Sequence, residues 1–375
     1  MKLQHLVLAF TAALSHYSEA CLEHLKERTD VPPLPRKHHP APRTKTAITN
    51  VRVFDGEHIS PPRRVIIDGA FISTDPTNIQ TVIDAGGRVL IPGLIDSHVH
   101  VSTIQDLEAL TSFGVTTAMV MACYNYTTCA TLRALDDGLC TFHSAGVPAV
   151  APGSKHSKIV NGSLLLLPTD DPAAVVAHTF NNGSDFFKIS MTHAAYIDAL
   201  QQAALSSTDG IQHIPADGPL PSPLNITFHP HQFLTPTLNI FQYAFSNPAI
   251  LAFLGRSPTD KTNSYANAVT NLNTLRPHIP ILAGTDAFGL LVPGINIPFG
   301  LTLHYELQNL VEAGFTPAEA LRAATVVAAR HHRLLNRGVI APGKRADLVL
   351  LNSDPLVDVR NTLDIARVWE GEGSC

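Results

Sequence analysis

The sequence predicts an α/β protein: a (β/α)8 TIM-type barrel with a truncated fourth βα unit, plus a small β-sandwich built from the two chain ends. Three observations predict it. Strand-like and helix-like segments alternate through the middle of the chain, the grammar of parallel βα units. Both ends read instead as short strands broken by turns. Histidines, a lysine and an aspartate stand where the central strands end, and a barrel gathers its active site at those ends.

Lys2 precedes an apolar run from Leu6 to Leu14, and Ser18-Glu19-Ala20 offers small residues for cleavage. Residues 1–20 therefore read as a signal peptide, too short to span a membrane. Residues 21–45, rich in Pro, Lys, Arg and His, read as a linker. Residues 46–90 and 337–375 carry the sandwich strands, and 91–336 carry the barrel. Secretion is the expected localisation, with the cytoplasm as the alternative. A hydrophobic content of 45% and charged content of 15% describe a folded chain rather than a disordered one. The net charge of −5 argues against nucleic acid or an anionic membrane as partner. Of five cysteines, Cys123, Cys129 and Cys140 lie close enough for one disulfide, and none shows zinc-type spacing. Sequons stand at Asn125, Asn161, Asn182 and Asn225.

Eight central strands are expected: Val89–Val101, Thr116–Ala122, Val147–Pro152, Asp185–Met191, Thr192–Ala195, Gly210–Ile214, Gln232–Leu238 and Ile279–Asp286. Asp171-Pro172 marks a helix start, with Pro at the first helical position. Thr316-Pro317-Ala318-Glu319 reads as a capping box.

The chemistry concentrates at the strand ends. His98 and His100, two apart in Ile91-Pro-Gly-Leu-Ile-Asp-Ser-His-Val-His-Val101, share a face of a strand because side chains alternate. Lys188 sits in an apolar strand, where a lone charge is costly. His193, His213 and Asp286 stand at further strand ends. Imidazoles with a carboxylate suit zinc or a similar divalent ion. His38, His39, His331 and His332 lie in polar or basic runs and read as solvated.

These strings resemble the amidohydrolase superfamily, in particular its imidazolonepropionase-like and prolidase-like members. The matching pieces are the His98-Val-His100 strand, Gly114-Val-Thr-Thr, Gly183-Ser-Asp-Phe-Phe-Lys188, Ala283-Gly-Thr-Asp286 and His304-Tyr-Glu-Leu. The resemblance implies two zinc ions: one on His98 and His100, a second on His193 and His213, with a CO2-derived carbamate on Lys188 bridging them. Asp286 would bind metal and shuttle protons. His229 is the weaker candidate beside His193 and His213. His156, His229 and His304 are the candidate substrate contacts.

The implied activity is hydrolysis of a C–N bond in a small amide, cyclic amide or dipeptide-like molecule by metal-activated hydroxide. Two alternatives stand beside it: a non-catalytic relative serving as a binding subunit, and a mononuclear deaminase or imidazolone hydrolase. A homo-oligomer is left open. One departure stands out. Lys188 and His193 are five positions apart, a reach of at most about 18 Å, whereas adjacent parallel strands need a crossover of roughly a dozen residues. The fourth βα unit is therefore expected to be short.

Overall fold

The structure is a computed structural model that describes residues 44–374 apart from 124, 136–137, 154–156, 158–163, 189–194, 207, 254–255, 258, 261, 293–294 and 372. Five strands open it: β1 (Thr46–Val53), β2 (Arg63–Asp68), β3 (Phe71–Ser73), β4 (Thr81–Asp84) and β5 (Val89–Pro92). The central part runs β6 (Leu94–Val99), α1 (Ile104–Ser112), β7 (Val115–Val120), α2 (Tyr126–Arg133), β8 (Thr141–Ser144), β9 (Ala149–Val150), β10 (Leu164–Leu165), α3 (Pro172–Asn181) and α4 (Ile197–Leu205). It continues through β11 (Gly210–Gln212), β12 (Phe233–Thr235), α5 (Leu238–Ser246), α6 (Pro248–Phe253), α7 (Tyr265–Leu275), β13 (Gly289–Val292), β14 (Ile295–Ile297), α8 (Leu301–Glu312), α9 (Pro317–Ala323) and α10 (Val326–His331).

Of the last strands, β15 (Leu348–Leu351) pairs back onto β5, and β16 (Ile365–Glu370) and β17 (Gly373–Ser374) extend the sheet beyond it. One sheet results, ordered β17-β16-β15-β5-β1-β2-β3 with β4 on β1. Alternating Ile48, Val65, Ile67 and Ile72 meet Leu348, Leu350 and Trp369 in a core of their own. β5 and β15 are buried on both faces, with Val89, Ile91, Val349 and Leu351 packing in the main core on the other side of the sheet.

The site rests on a second, parallel arrangement. β6, β7 and β8 form one parallel ladder. On the other side of β6, Val99 bridges Ala287, and Ile281 bridges Leu234 of β12, which pairs with β11. Asp185 N–H donates to Ser144 O at 2.8 Å, and Ala149 N–H to Lys188 O at 3.2 Å, so residues 185–188 flank the other edge. Among the described residues this arc does not close: the opening falls between Lys188 and Gly210. The helices start where caps allow. Asp171 accepts from Ala173 N–H, and both Thr103/Asp106 and Thr316/Glu319 make reciprocal capping boxes.

The third strand is a correction. Thr141–Ser144, not Val147–Pro152, pairs with β7. Pro148 and Pro152 have no N–H for a ladder, and the backbone turns at Gly146 (φ 68°). Only Ala149–Val150 of that stretch pairs, and with Leu164–Leu165. Residues 185–188 likewise lie beside the arc, with a bend at Asp185 and Phe186, and form no strand of their own. Cys123 and Cys129 form a disulfide, leaving Cys140 free and buried. Among the described residues, no helix is long and apolar enough to cross a membrane.

Candidate metal centre

β6 and the residue just after it position the first two candidate ligands. Val99, fully buried, packs on the far side, while His98 and the following His100 face inward. Asp286 reaches them from the neighbouring segment, whose backbone is held tightly: Thr285 and Asp286 N–H both donate to His98 O, at 3.1 and 2.7 Å. Asp286 itself is left-handed (φ 56°), a strained state for a non-glycine residue that turns its carboxylate back toward β6. Gly284 makes this approach feasible. A Cβ there would lie 2.5 Å from Thr235 Cγ2 and 2.8 Å from His98 N.

The resulting cluster is compact. Asp286 Oδ1 lies 3.0 Å from His100 Nε2 and 3.3 Å from His98 Nε2. One ligand atom from each of the three residues lies within 4.8 Å of the others, close enough to hold a metal ion. His213 joins from the end of β11, its ring 4.7 Å from that of His98. The second nitrogens are also held. His98 Nδ1–H donates to Gln212 Oε1 at 2.8 Å. His213 Nδ1 meets Thr237 Oγ1 at 2.8 Å, and since that hydroxyl donates to Pro236 O, its oxygen accepts from Nδ1–H. Among the described residues, His98 Nε2 and His100 Nδ1 are buried without a hydrogen bond. The orphaned His98 Nε2 beside an Asp286 oxygen that also meets His100 Nε2 at 3.0 Å is a donor set a divalent cation satisfies.

The electrostatics agree. Burial, with help from the Lys188 charge, pushes His98 down to about 4, so its imidazole is neutral at pH 7. Burial would raise Asp286, but the imidazoles around it hold it well below the usual carboxylate range. Burial draws Lys188 down to about 8 against the pull of Asp286. Beneath them Asp96, pushed up to about 7 by burial, accepts from Thr285 Oγ1 at 2.7 Å and from the N–H groups of His98 and Thr285 at 3.1 Å. A cavity of about 590 Å³ touches Lys188 and Gln212 but runs toward the starts of β11 and β12, walled by Met119, His143, Asp209 and Phe233 rather than by the cluster residues.

The structure thus gathers His98, His100, His213, Lys188 and Asp286 in one region; His193 and His156 lie outside the described residues. The other two candidate contacts are corrections. His304 is buried in α8 with both ring nitrogens engaged, Nε2–H donating to Phe113 O and Nδ1 meeting Thr362 Oγ1, each at 2.8 Å. His229 is exposed just before β12 begins, stacked on His231. In a parallel arc that is the opposite end from the one where His98 and His100 leave β6. His332 is a third correction. Its Nε2 is buried, and burial together with His143 lowers it to about 3. His331 is half-buried rather than solvated, and His38 and His39 lie outside the described residues. The sequence reading missed Gln212, Thr237 and Asp96. Only Asp96 carried a signal, being two residues before His98 and so on the same face.

A mixed α/β protein with a His-His-Asp cluster at parallel strand ends is the class defined so far. The chain belongs to the amidohydrolase family, whose model matches residues 184–371. It is 27% identical over 346 residues to an adenine deaminase of Gluconobacter oxydans, covering 86% of this chain and 58% of that one. The chain spans about half the length of several curated relatives it matches. Among solved structures it resembles a candidate prolidase from Bifidobacterium longum, with TM-score 0.72, 22% identity and coverage of 89% and 95%. A Xaa-Pro dipeptidase superposes with TM-score 0.67 at 17% identity, covering 88% and 100%. These likenesses establish the fold.

Proposed function

We propose that this chain is a metal-dependent hydrolase that cleaves a C–N bond in a small amide, cyclic amide or dipeptide-like substrate. The observation that carries the reading is Asp286 Oδ1, set between His98 Nε2 and His100 Nε2 at 3.3 and 3.0 Å. His98, His100 and Asp286 would hold one divalent ion, taken to be zinc. His213 and His193 would hold a second, and a carbamate on Lys188 would be shared by the two. When bound, the metal polarises the substrate carbonyl and makes water nucleophilic near neutral pH. Asp286 is ionised and so placed to take the proton from the attacking water. It then returns the proton to the nitrogen as the C–N bond breaks. A lysine with lowered pKa supplies the neutral amine that adds CO2, losing a proton as the carbamate forms.

This reading includes a (β/α)8 barrel over 91–336 and a small β domain from 46–90 and 337–375, supported by the parallel arc and by the sheet that joins both ends. The Cys123–Cys129 disulfide supports an oxidising, secretory compartment. A one-metal deaminase is the second reading, favoured because His98, His100 and Asp286 alone make a complete three-ligand set and by the likeness to adenine deaminases.

Metal analysis of the purified chain, paired with amidase and deaminase assays after adding zinc and bicarbonate, separates these readings. Two equivalents with amidase turnover are expected. One equivalent with deamination would favour the second reading, and no metal with no turnover would sink both.

A further inference from the structure

We propose that Gln212 is a positioning residue that fixes the tautomer of His98 and so aims its Nε2 at a metal ion; this role rests on the metal reading above. Gln212 ends β11, is 4% exposed, and accepts the His98 Nδ1 proton at 2.8 Å. A neutral imidazole carries one proton. Held at Nδ1 by Gln212, that proton leaves Nε2 a lone pair. His98 Nε2 makes no hydrogen bond although it lies 3.3 Å from Asp286 Oδ1. Two lone pairs at that distance repel, and a cation between them resolves the repulsion. With the proton on Nε2 instead, the imidazole would donate to Asp286 and close the position to metal.

The backbone is shaped for this contact. Successive strand residues face opposite sides, so Gln212 and His213 ought not to meet the same partner. The left-handed conformation of His213 (φ 69°), strained for a non-glycine residue, breaks the alternation. Both side chains then reach His98, Gln212 by its hydrogen bond and His213 by its ring at 4.7 Å. The carbonyl oxygen of Gln212 supplies an acceptor without adding charge to a buried site.

The test uses the full chain and zinc alone. Gln212→Leu should weaken zinc binding, measured by chelator competition, by about 10- to 100-fold, the usual effect of losing a group that orients a metal-binding histidine. Gln212→Glu, which keeps an acceptor for Nδ1–H, should bind within a few-fold of wild type. A merely structural role would lower the melting temperature of Gln212→Leu and leave zinc affinity unchanged, overturning the proposal. Nitrogen NMR of the metal-free wild-type chain needs no variant: His98, identified by its loss in His98→Asn, should show a protonated Nδ1. A protonated Nε2 would overturn the proposal even if Gln212→Leu failed to fold. If wild-type chain binds no zinc, the metal reading itself fails, a result distinct from either of these.

Discussion

Three properties that one side chain seldom combines fit Asp286 to its proposed role: a strained backbone, a depressed pKa and contact with two imidazoles. Asp286→Asn keeps the shape and removes the base, so kcat should fall by roughly a thousandfold, within the range typical of a lost general base. Circular dichroism should show the fold intact. His304 tests a different residue-level claim. Burial lowers it to about 4, below its unfolded value of about 6.5. The unfolded chain therefore takes up a proton first as the pH falls. Stability is full above pH 6.5 and is lost as pH drops toward 4, by on the order of 3 kcal/mol. His304→Gln should lose less stability than wild type across that window in denaturant titrations at each pH. At this scale His98, His100 and Asp286 were legible, because period-2 spacing and a strand end suffice to place them. Gln212 was not, since alternation assigns it to the wrong side of β11 and only the left-handed turn at His213 corrects that. His304 and His229 misled because a histidine near a strand or helix end looks the same whether it binds a ligand or packs.

At the level of elements, the close approach of residues 281–287 to β6 decides the geometry of the cluster. Gly284→Ala forces Thr235 or His98 to move. Overpacking of this kind costs about 1–3 kcal/mol, and the prediction is a lower melting temperature together with weaker zinc binding, since both follow from one displaced backbone. Helix α5 depends on a distant carboxylate. Glu306 of α8 accepts from Leu238 and Asn239 N–H at 2.9 and 2.6 Å, occupying a helix N-terminus that Thr237 does not cap. Local caps such as Asp171 and Thr316 were readable because their partners lie within three residues. The cap from Glu306 and the shift of the third strand to Thr141 were not. One depends on a partner about seventy residues away, and the other on prolines whose missing donors outweigh an apolar pattern.

Across the whole molecule, a buried charged network ties the sheet from the chain ends to the parallel arc. Arg337 donates to Thr117 and Thr141 Oγ1 at 2.8 and 3.1 Å and lies 3.5 Å from Asp347. Glu370 accepts from Thr141 N–H at 2.8 Å. Arg337→Met leaves Thr117 and Thr141 without their donor and Asp347 with Arg345, at 2.7 Å, as its remaining cation, and the expected loss is about 1–3 kcal/mol of stability in chemical denaturation. The alternation of strand and helix revealed the mixed α/β character, and the short spacing after Lys188 pointed to the place where the arc of described residues stays open. Pairing partners across 250 residues, as between β5 and β15, leave no local mark beyond two stretches of strand-like residues. The central claim is that His98, His100 and Asp286 hold a divalent metal for C–N bond hydrolysis. Anomalous diffraction at the zinc edge from crystals of the full chain tests it most directly. The expected result is a peak bonded to His98 Nε2, His100 and Asp286 at about 2.0–2.2 Å; zinc-soaked crystals with no peak at these three residues would contradict it.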